Sequence, residues 1–230
     1  MLLEFVWLPN LRTLWLASFR LVDENSIPRI LQVFSSLEHL VLILQSLNEN
    51  ENESQSEGVQ VESLCFSIPS LKWFELCSDE QEFNVVVKAE NLVNFVCDLE
   101  GLHKVTLDAL NLKSLTVMGD VLQVHITKSL FSIEEAVIEA ELCFYLTSVC
   151  DLVLRSQYVF FFLLFFSRLQ HVKLLSLSEN IMKALYVSSM TIPTSRNLVK
   201  LELIPDYCPD FRRSCISHVL LKLFESAYLQ

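Results

Sequence analysis

Apolar residues along this chain fall into a recurring phrase, Leu-x-x-Leu-x-Leu, first complete at Leu11, Leu14 and Leu16. It returns as Leu37, Leu40, Leu42, then Leu71, Phe74, Leu76, then Leu92, Phe95, Cys97. Further copies are Leu112, Leu115, Val117, then Ile133, Ala136, Ile138, then Val172, Leu175, Leu177 and Leu198, Leu201, Leu203. The first positions are spaced by 26, 34, 21, 20, 21, 39 and 26 residues, mostly near the period of leucine-rich repeats, with insertions swelling two units. One such unit cannot bury its own apolar edge, whereas units stacked ~4.8 Å apart as parallel strands make a continuous core. The pattern predicts an α/β fold, a leucine-rich-repeat solenoid with a curved parallel β-sheet and an irregular, partly helical outer face. Residues 1–230 form one domain on this reading, with strands near 13–16, 39–43, 73–76, 94–97, 114–117, 135–138, 174–177 and 200–203.

A near duplication supports the repeat. Val87-Lys88-Ala89-Glu90-Asn91-Leu92-x-x-Phe95 matches Leu107-Asp108-Ala109-Leu110-Asn111-Leu112-x-x-Leu115 at an offset of 20 residues, and Phe66 to Phe74 is a third copy. Chance matches to an apolar template do not also agree at small and polar positions. Each copy follows a β-rich run, Val61 to Phe66, Val85 to Val87 and Val105 to Leu107, which predicts extended segments on the outer side as well.

Between the first two phrases, Ile27, Ile30, Leu31 and Phe34 follow helical spacing after Asp23 and Glu24, predicting an amphipathic outer helix from Asp23 to Phe34. Residues 46–57 are too polar and acidic to pack and read as a disordered loop. The phrase weakens over 139–166, an irregular insert whose apolar run Val159 to Phe166 is far short of the ~20 residues of a membrane span. At the resumption, two phases compete, and Val172, Leu175, Leu177 is preferred because Ser176 and Ser178 then face solvent. Arg213 to Tyr228 aligns Ile216, Val219, Leu220, Leu223, Phe224 and Ala227 on one face, predicting a C-terminal helix.

Side chains alternate along a strand. If Leu14 and Leu16 point inward, Thr13 and Trp15 point out of the concave sheet, as do His39, Val41, Trp73, Glu75, Asn94, Val96, Ser114 and Thr116. The candidate partner-binding residues are Trp15, His39, Val41, Trp73, Glu75, Asn94 and Thr116. The two tryptophans carry the argument, because Trp dominates interface hot spots; the competing reading has neighbouring strands or the acidic loop covering both rings.

The net charge of −11 lies wholly in residues 1–100, which hold 16 acidic and 5 basic side chains. A phosphate backbone or an anionic leaflet is repelled there, so neither nucleic acid nor membrane is an expected partner. Seven cysteines with no Cys-x-x-Cys pair read as reduced thiols, and Cys97 reads as a small buried hydrophobe. Three glycines provide no phosphate-cradling loop, no dinucleotide fingerprint and no nucleophile elbow, and the five histidines show no metal spacing. Neither an enzyme nor a cofactor is expected. Met1-Leu2-Leu3-Glu4 places an acid where a signal peptide needs bases, so the expected compartment is cytoplasm or nucleus.

Phrases such as Leu8-Pro9-Asn10-Leu11-Arg12-Thr13-Leu14, Phe34-Ser35-Ser36-Leu37-Glu38-His39-Leu40, Ala109-Leu110-Asn111-Leu112-Lys113-Ser114-Leu115, Ser167-Arg168-Leu169-Gln170-His171-Val172 and Arg196-Asn197-Leu198-Val199-Lys200-Leu201-Glu202-Leu203 resemble the repeat region of plant F-box/FBD/leucine-rich-repeat proteins. The resemblance spans nearly the whole chain apart from the acidic loop and 139–166. It implies repeats that hold a protein substrate on their concave face for a cullin-type ubiquitin ligase, to which an F-box docks through a Skp1-type adaptor. This sequence enters the first phrase without an F-box and ends without an FBD module, so adaptor binding is not carried over. A truncated paralogue without a ligase role and a generic repeat scaffold are the alternatives. Deleting residues 46–57 is expected to leave the unfolding midpoint nearly unchanged; a loss above ~2 kcal/mol in denaturant unfolding would show that the segment packs.

Overall fold

The computed structural model describes residues 8–19, 26–44, 63–79, 84–99, 104–119, 123–126, 132–140, 169, 171–182, 197–204 and 221. Each phrase becomes a strand: β1 (Thr13–Phe19), β2 (His39–Leu44), β4 (Trp73–Ser78), β6 (Asn94–Leu99), β8 (Ser114–Gly119), β10 (Glu135–Ala140), β11 (Leu174–Ser178) and β12 (Lys200–Ile204). These pair in that order into one eight-stranded sheet, parallel throughout. The intervening β3 (Ser63–Ser67), β5 (Asn84–Lys88), β7 (Lys104–Asp108) and β9 (Gln123–Ile126) form a second, four-stranded parallel sheet. From β2 to β10 the chain alternates between the sheets, so each unit contributes one strand to each. Helix α1 (Ser26–Gln32) lies beside β3, in the layer of the second sheet.

Alternation within the strands builds the core. Leu40, Phe74, Phe95, Leu115 and Ala136 occupy matched register positions and are fully buried, as are Leu42, Leu76 and Cys97 two residues on. The second sheet answers with Leu64, Val85 and Val105, and with Phe66, Val87 and Leu107. Phe66 and Phe74 meet edge to face with centroids 5.0 Å apart, and Phe74 and Phe95 tilt at 5.6 Å, a geometry the ring quadrupole favours. Ile27, Leu31 and Phe34 close the core on the α1 side.

Backbone hydrogen bonds hold the units in step. The residue before each strand of the large sheet but the last, β12, offers a carbonyl that accepts two consecutive N–H groups from the next unit. Glu38 O accepts Lys72 N at 2.8 Å and Trp73 N at 3.0 Å, and Lys72 O accepts Val93 N at 2.8 Å and Asn94 N at 3.0 Å. The same pairing repeats from Arg12 to Lys173. Beside it, Asn91 Nδ2 donates to Pro69 O and Asn111 Nδ2 to Glu90 O, both at 2.9 Å, while Ser132 Oγ donates to Leu110 O at 3.1 Å. The polar agreement within the duplicated segments is therefore structural: each amide satisfies a carbonyl that a turn leaves unpaired. At the far end of β8, Gly119 has φ +76° and a Cβ there would lie 2.4 Å from Leu99 O, so glycine alone fits.

Three expectations need correction. Ser178 does not face solvent but is buried: a helical turn at 179–182 follows it, and its Oγ accepts Ile181 N at 3.5 Å, the action of a helix N-cap. Helix α1 ends at Gln32 rather than Phe34, although Phe34 still buries its ring; residues 23–25 lie outside the described residues. Glu139 and Ala140 belong to β10 rather than to an insert. The chosen phase at Val172 matches the packing, with Leu175 and Leu177 buried and Leu174 exposed. The acidic loop 46–57 and residues 141–166 lie outside the described residues, as does 213–228 except for a helical, exposed Leu221.

Phe74 touches aromatic rings of both sheets, so Phe74→Ala should cost ~3–5 kcal/mol in urea unfolding, as core Phe truncations do, whereas Glu75→Gln beside it should stay within ~0.5 kcal/mol of the parent.

Candidate interaction surface

The face of the large sheet turned away from the core carries three rows of side chains, set by the strand register. The first row runs Thr13, His39, Trp73, Asn94, Ser114, Glu135, Leu174, Lys200. Its neighbour runs Trp15, Val41, Glu75, Val96, Thr116, Val137, Ser176, Glu202. A third includes Ile43, Cys77, Asp98, Met118 and Glu139.

All seven residues singled out from the sequence lie on this face. Trp15 is 70% exposed and His39 is exposed, while Val41, Trp73, Glu75, Asn94 and Thr116 are half-buried. The two tryptophans differ because Trp15 sits on β1, which ends the sheet, whereas Trp73 stands in register between His39 and Asn94 on flanking strands. Trp15 and Trp73 lie in different rows, two strands apart, and so make two separate anchors. The third row escaped the sequence reading because the apolar phrase ends two residues before the strands do; Leu44, Ser78 and Leu99, all buried, mark the longer extent.

Charges divide between the face and its edge. At the edge, the residues whose carbonyls form the ladder include Arg12, Glu38, Lys72, Lys113, Glu134 and Lys173. Glu38 contacts Lys72 Nζ at 3.0 Å and Arg12 Nη1 at 4.0 Å, and Glu134 contacts Lys173 Nζ at 2.9 Å. The Lys72 hydrogen bond holds the Glu38 carboxyl below its usual range, and the Lys173 hydrogen bond does the same for Glu134. At the β12 end, Lys200 Nζ lies 2.9 Å from Glu202 Oε2, lowering that carboxyl and raising the lysine.

In the third row, burial and then the charges of Glu75 and Asp98 push the Cys77 thiol up to about 11. Burial also raises Cys97 and the Asp98 carboxyl. Cys97 is wholly buried in the core, whereas Cys77 is half-buried on the outward face. Among the described residues no group of three or more His, Cys, Asp or Glu is placed to hold a metal ion, and no helix is long and apolar enough to cross a membrane. Comparisons of the chain with protein-family models, curated proteins and solved structures find no match.

Because the folded carboxyls of Glu38, Glu134 and Glu202 lie below their unfolded values, their contribution is complete above the ordinary carboxylate range and disappears as pH falls through the folded values. Thermal midpoints followed by circular dichroism should fall on acidification, and Glu134→Gln should flatten part of that slope. Added salt should weaken it too, since these pairs are exposed. An unchanged slope in Glu134→Gln would show that the Glu134–Lys173 pair contributes nothing.

Proposed function

We infer that the chain is a protein-interaction module of leucine-rich-repeat type, whose outward sheet face holds a protein partner. The supporting observation is Trp15, a residue 70% exposed on the outward face of the sheet. Leaving such a ring in water forfeits the burial it could gain, and aromatic anchors of this kind concentrate binding energy. Trp73, half-buried on the same face, supplies a second anchor, with His39, Val41, Glu75, Asn94 and Thr116 between and beside them.

The similarity of the repeat phrases to plant F-box/FBD/leucine-rich-repeat proteins suggests the role: substrate recognition for an SCF-type ubiquitin ligase in cytoplasm or nucleus. Adaptor contact is not assigned to these residues. Scattered aromatic, apolar and acidic side chains on this face support binding rather than catalysis.

Replacing Trp15 and Trp73 together by Ala should abolish capture of the partner in affinity pull-downs while costing little stability. Unfolding by ~3 kcal/mol or more per ring would instead class them as core residues and move the binding face elsewhere. Capture with and without an added F-box segment separates the ligase role from a generic scaffold: adaptor recovered only with the segment supports the ligase role.

A further inference from the structure

The outward face carries charge of mainly one sign. Glu75, Asp98, Glu135, Glu139 and Glu202 lie on it, and Lys200 is its one lysine or arginine among the described residues. Lys200 is taken by Glu202 at 2.9 Å and lies close enough to feel Glu135. Among the described residues no lysine or arginine pairs with Glu75 or Asp98. Among the described residues, Glu75 Oε1 accepts only from the Cys77 thiol, at 3.9 Å. Asp98 is half-buried and takes no hydrogen bond among the described residues, and burial raises its carboxyl. Withdrawing a carboxylate from water without a partner costs stability, a cost that a cation brought by a partner would relieve.

The register brings these two carboxylates together. Cys77 pairs with Asp98 and Glu75 with Val96, which makes Glu75 and Asp98 diagonal neighbours on adjacent strands, ~7–8 Å apart by sheet geometry. The Cys77 thiol senses both charges. A single ammonium or guanidinium seated over Cys77 therefore meets both carboxylates. Trp73 stands two residues before Glu75 on the same face and offers an aromatic surface for a neighbouring side chain of the bound segment. Val96 and Met118, on the next strands, provide apolar floor for an aliphatic stem.

We propose that strands β4 and β6 dock a polypeptide segment bearing a lysine or arginine, its cation held between Glu75 and Asp98. The proposal rests on the reading of this face as a protein-binding surface and names the chemistry of the partner. Phosphate-rich partners are repelled by the same carboxylates. A divalent metal ion would find two carboxylates and a protonated thiol, too few oxygen ligands for calcium.

The test is fluorescence anisotropy of a labelled peptide alternating Lys and Leu, titrated with the full chain, beside a counterpart with Glu at each Lys position. The Lys peptide binds and the Glu peptide does not. Glu75→Gln with Asp98→Asn weakens binding about tenfold or more, equivalent to ~1.4 kcal/mol. Asp98→Asn alone keeps or raises the thermal midpoint, so its loss of binding is not a loss of fold. Glu202→Gln, on the same face but already paired, keeps its affinity. In the bound wild-type chain, the Asp98 carboxyl resonance titrates lower than in the free chain.

Equal weakening by Glu202→Gln would mean diffuse attraction to an acidic chain and would overturn the proposal, as would failure of the Lys peptide to bind. If the Glu75/Asp98 variant binds normally while the Trp15/Trp73 variant does not, the cation site falls and the binding face stands. Indifference to both sets removes both.

Discussion

Everything in this protein depends on one backbone constraint, the acceptance of two consecutive N–H groups by a single carbonyl at the start of each strand. That pairing, from Glu38 to Lys72 and from Lys72 to Val93, fixes where each strand begins relative to its neighbour. A slip of one residue would turn Leu40, Phe74 and Phe95 to the solvent side. With the register fixed, like stacks on like: leucine and phenylalanine within, polar and aromatic residues without. The asparagines and serines before the strands repeat the constraint with side chains, and the alternating charges of Arg12, Glu38 and Lys72 overlay it with weaker Coulomb attraction.

The face that concerns function follows from the same arithmetic. Trp15, Trp73, Glu75 and Asp98 sit outside because Leu14, Phe74, Leu76 and Cys97 must sit inside, and no feature of the outward residues is needed to hold them there. Such a face is free to vary chemically while the fold stays constant, which is how repeat scaffolds separate structure from recognition.

Much of this was legible in the sequence, for a physical reason. A period of two, repeated in phrase after phrase, can be satisfied only by strands with one buried side, so all eight strands of the large sheet were found from Leu11 to Leu203. The outer strands β3, β5 and β7 were visible as β-rich runs, but β9 has no following small-polar-leucine turn to mark it. Ser178 was misread because alternation predicts direction only while the strand continues, and a helical turn begins directly after it. Cys77 and Asp98 were missed because nothing in an apolar template records a strand running past its last leucine. The chemistry of the surface was legible only in part: direction followed from alternation, whereas the pairing of Lys200 with Glu202 and the diagonal closeness of Glu75 and Asp98 exist only in three dimensions.

Burial along the stack is uneven. Phe74, Phe95 and Leu115 are wholly shielded, whereas Leu14 and Leu16 on β1, and Leu201 and Leu203 on β12, are only partly covered. Each unit touches only its neighbours, so the free energy of local opening should climb from the two edge strands toward the middle. The molecule then behaves like a zipper held at its centre, with amide protons of β4, β6 and β8 exchanging last. Trp15 rides on one of the strands that frays first. Anything gripping that ring would also clasp the loose end of the zipper, so that binding and the tightening of β1 become a single event.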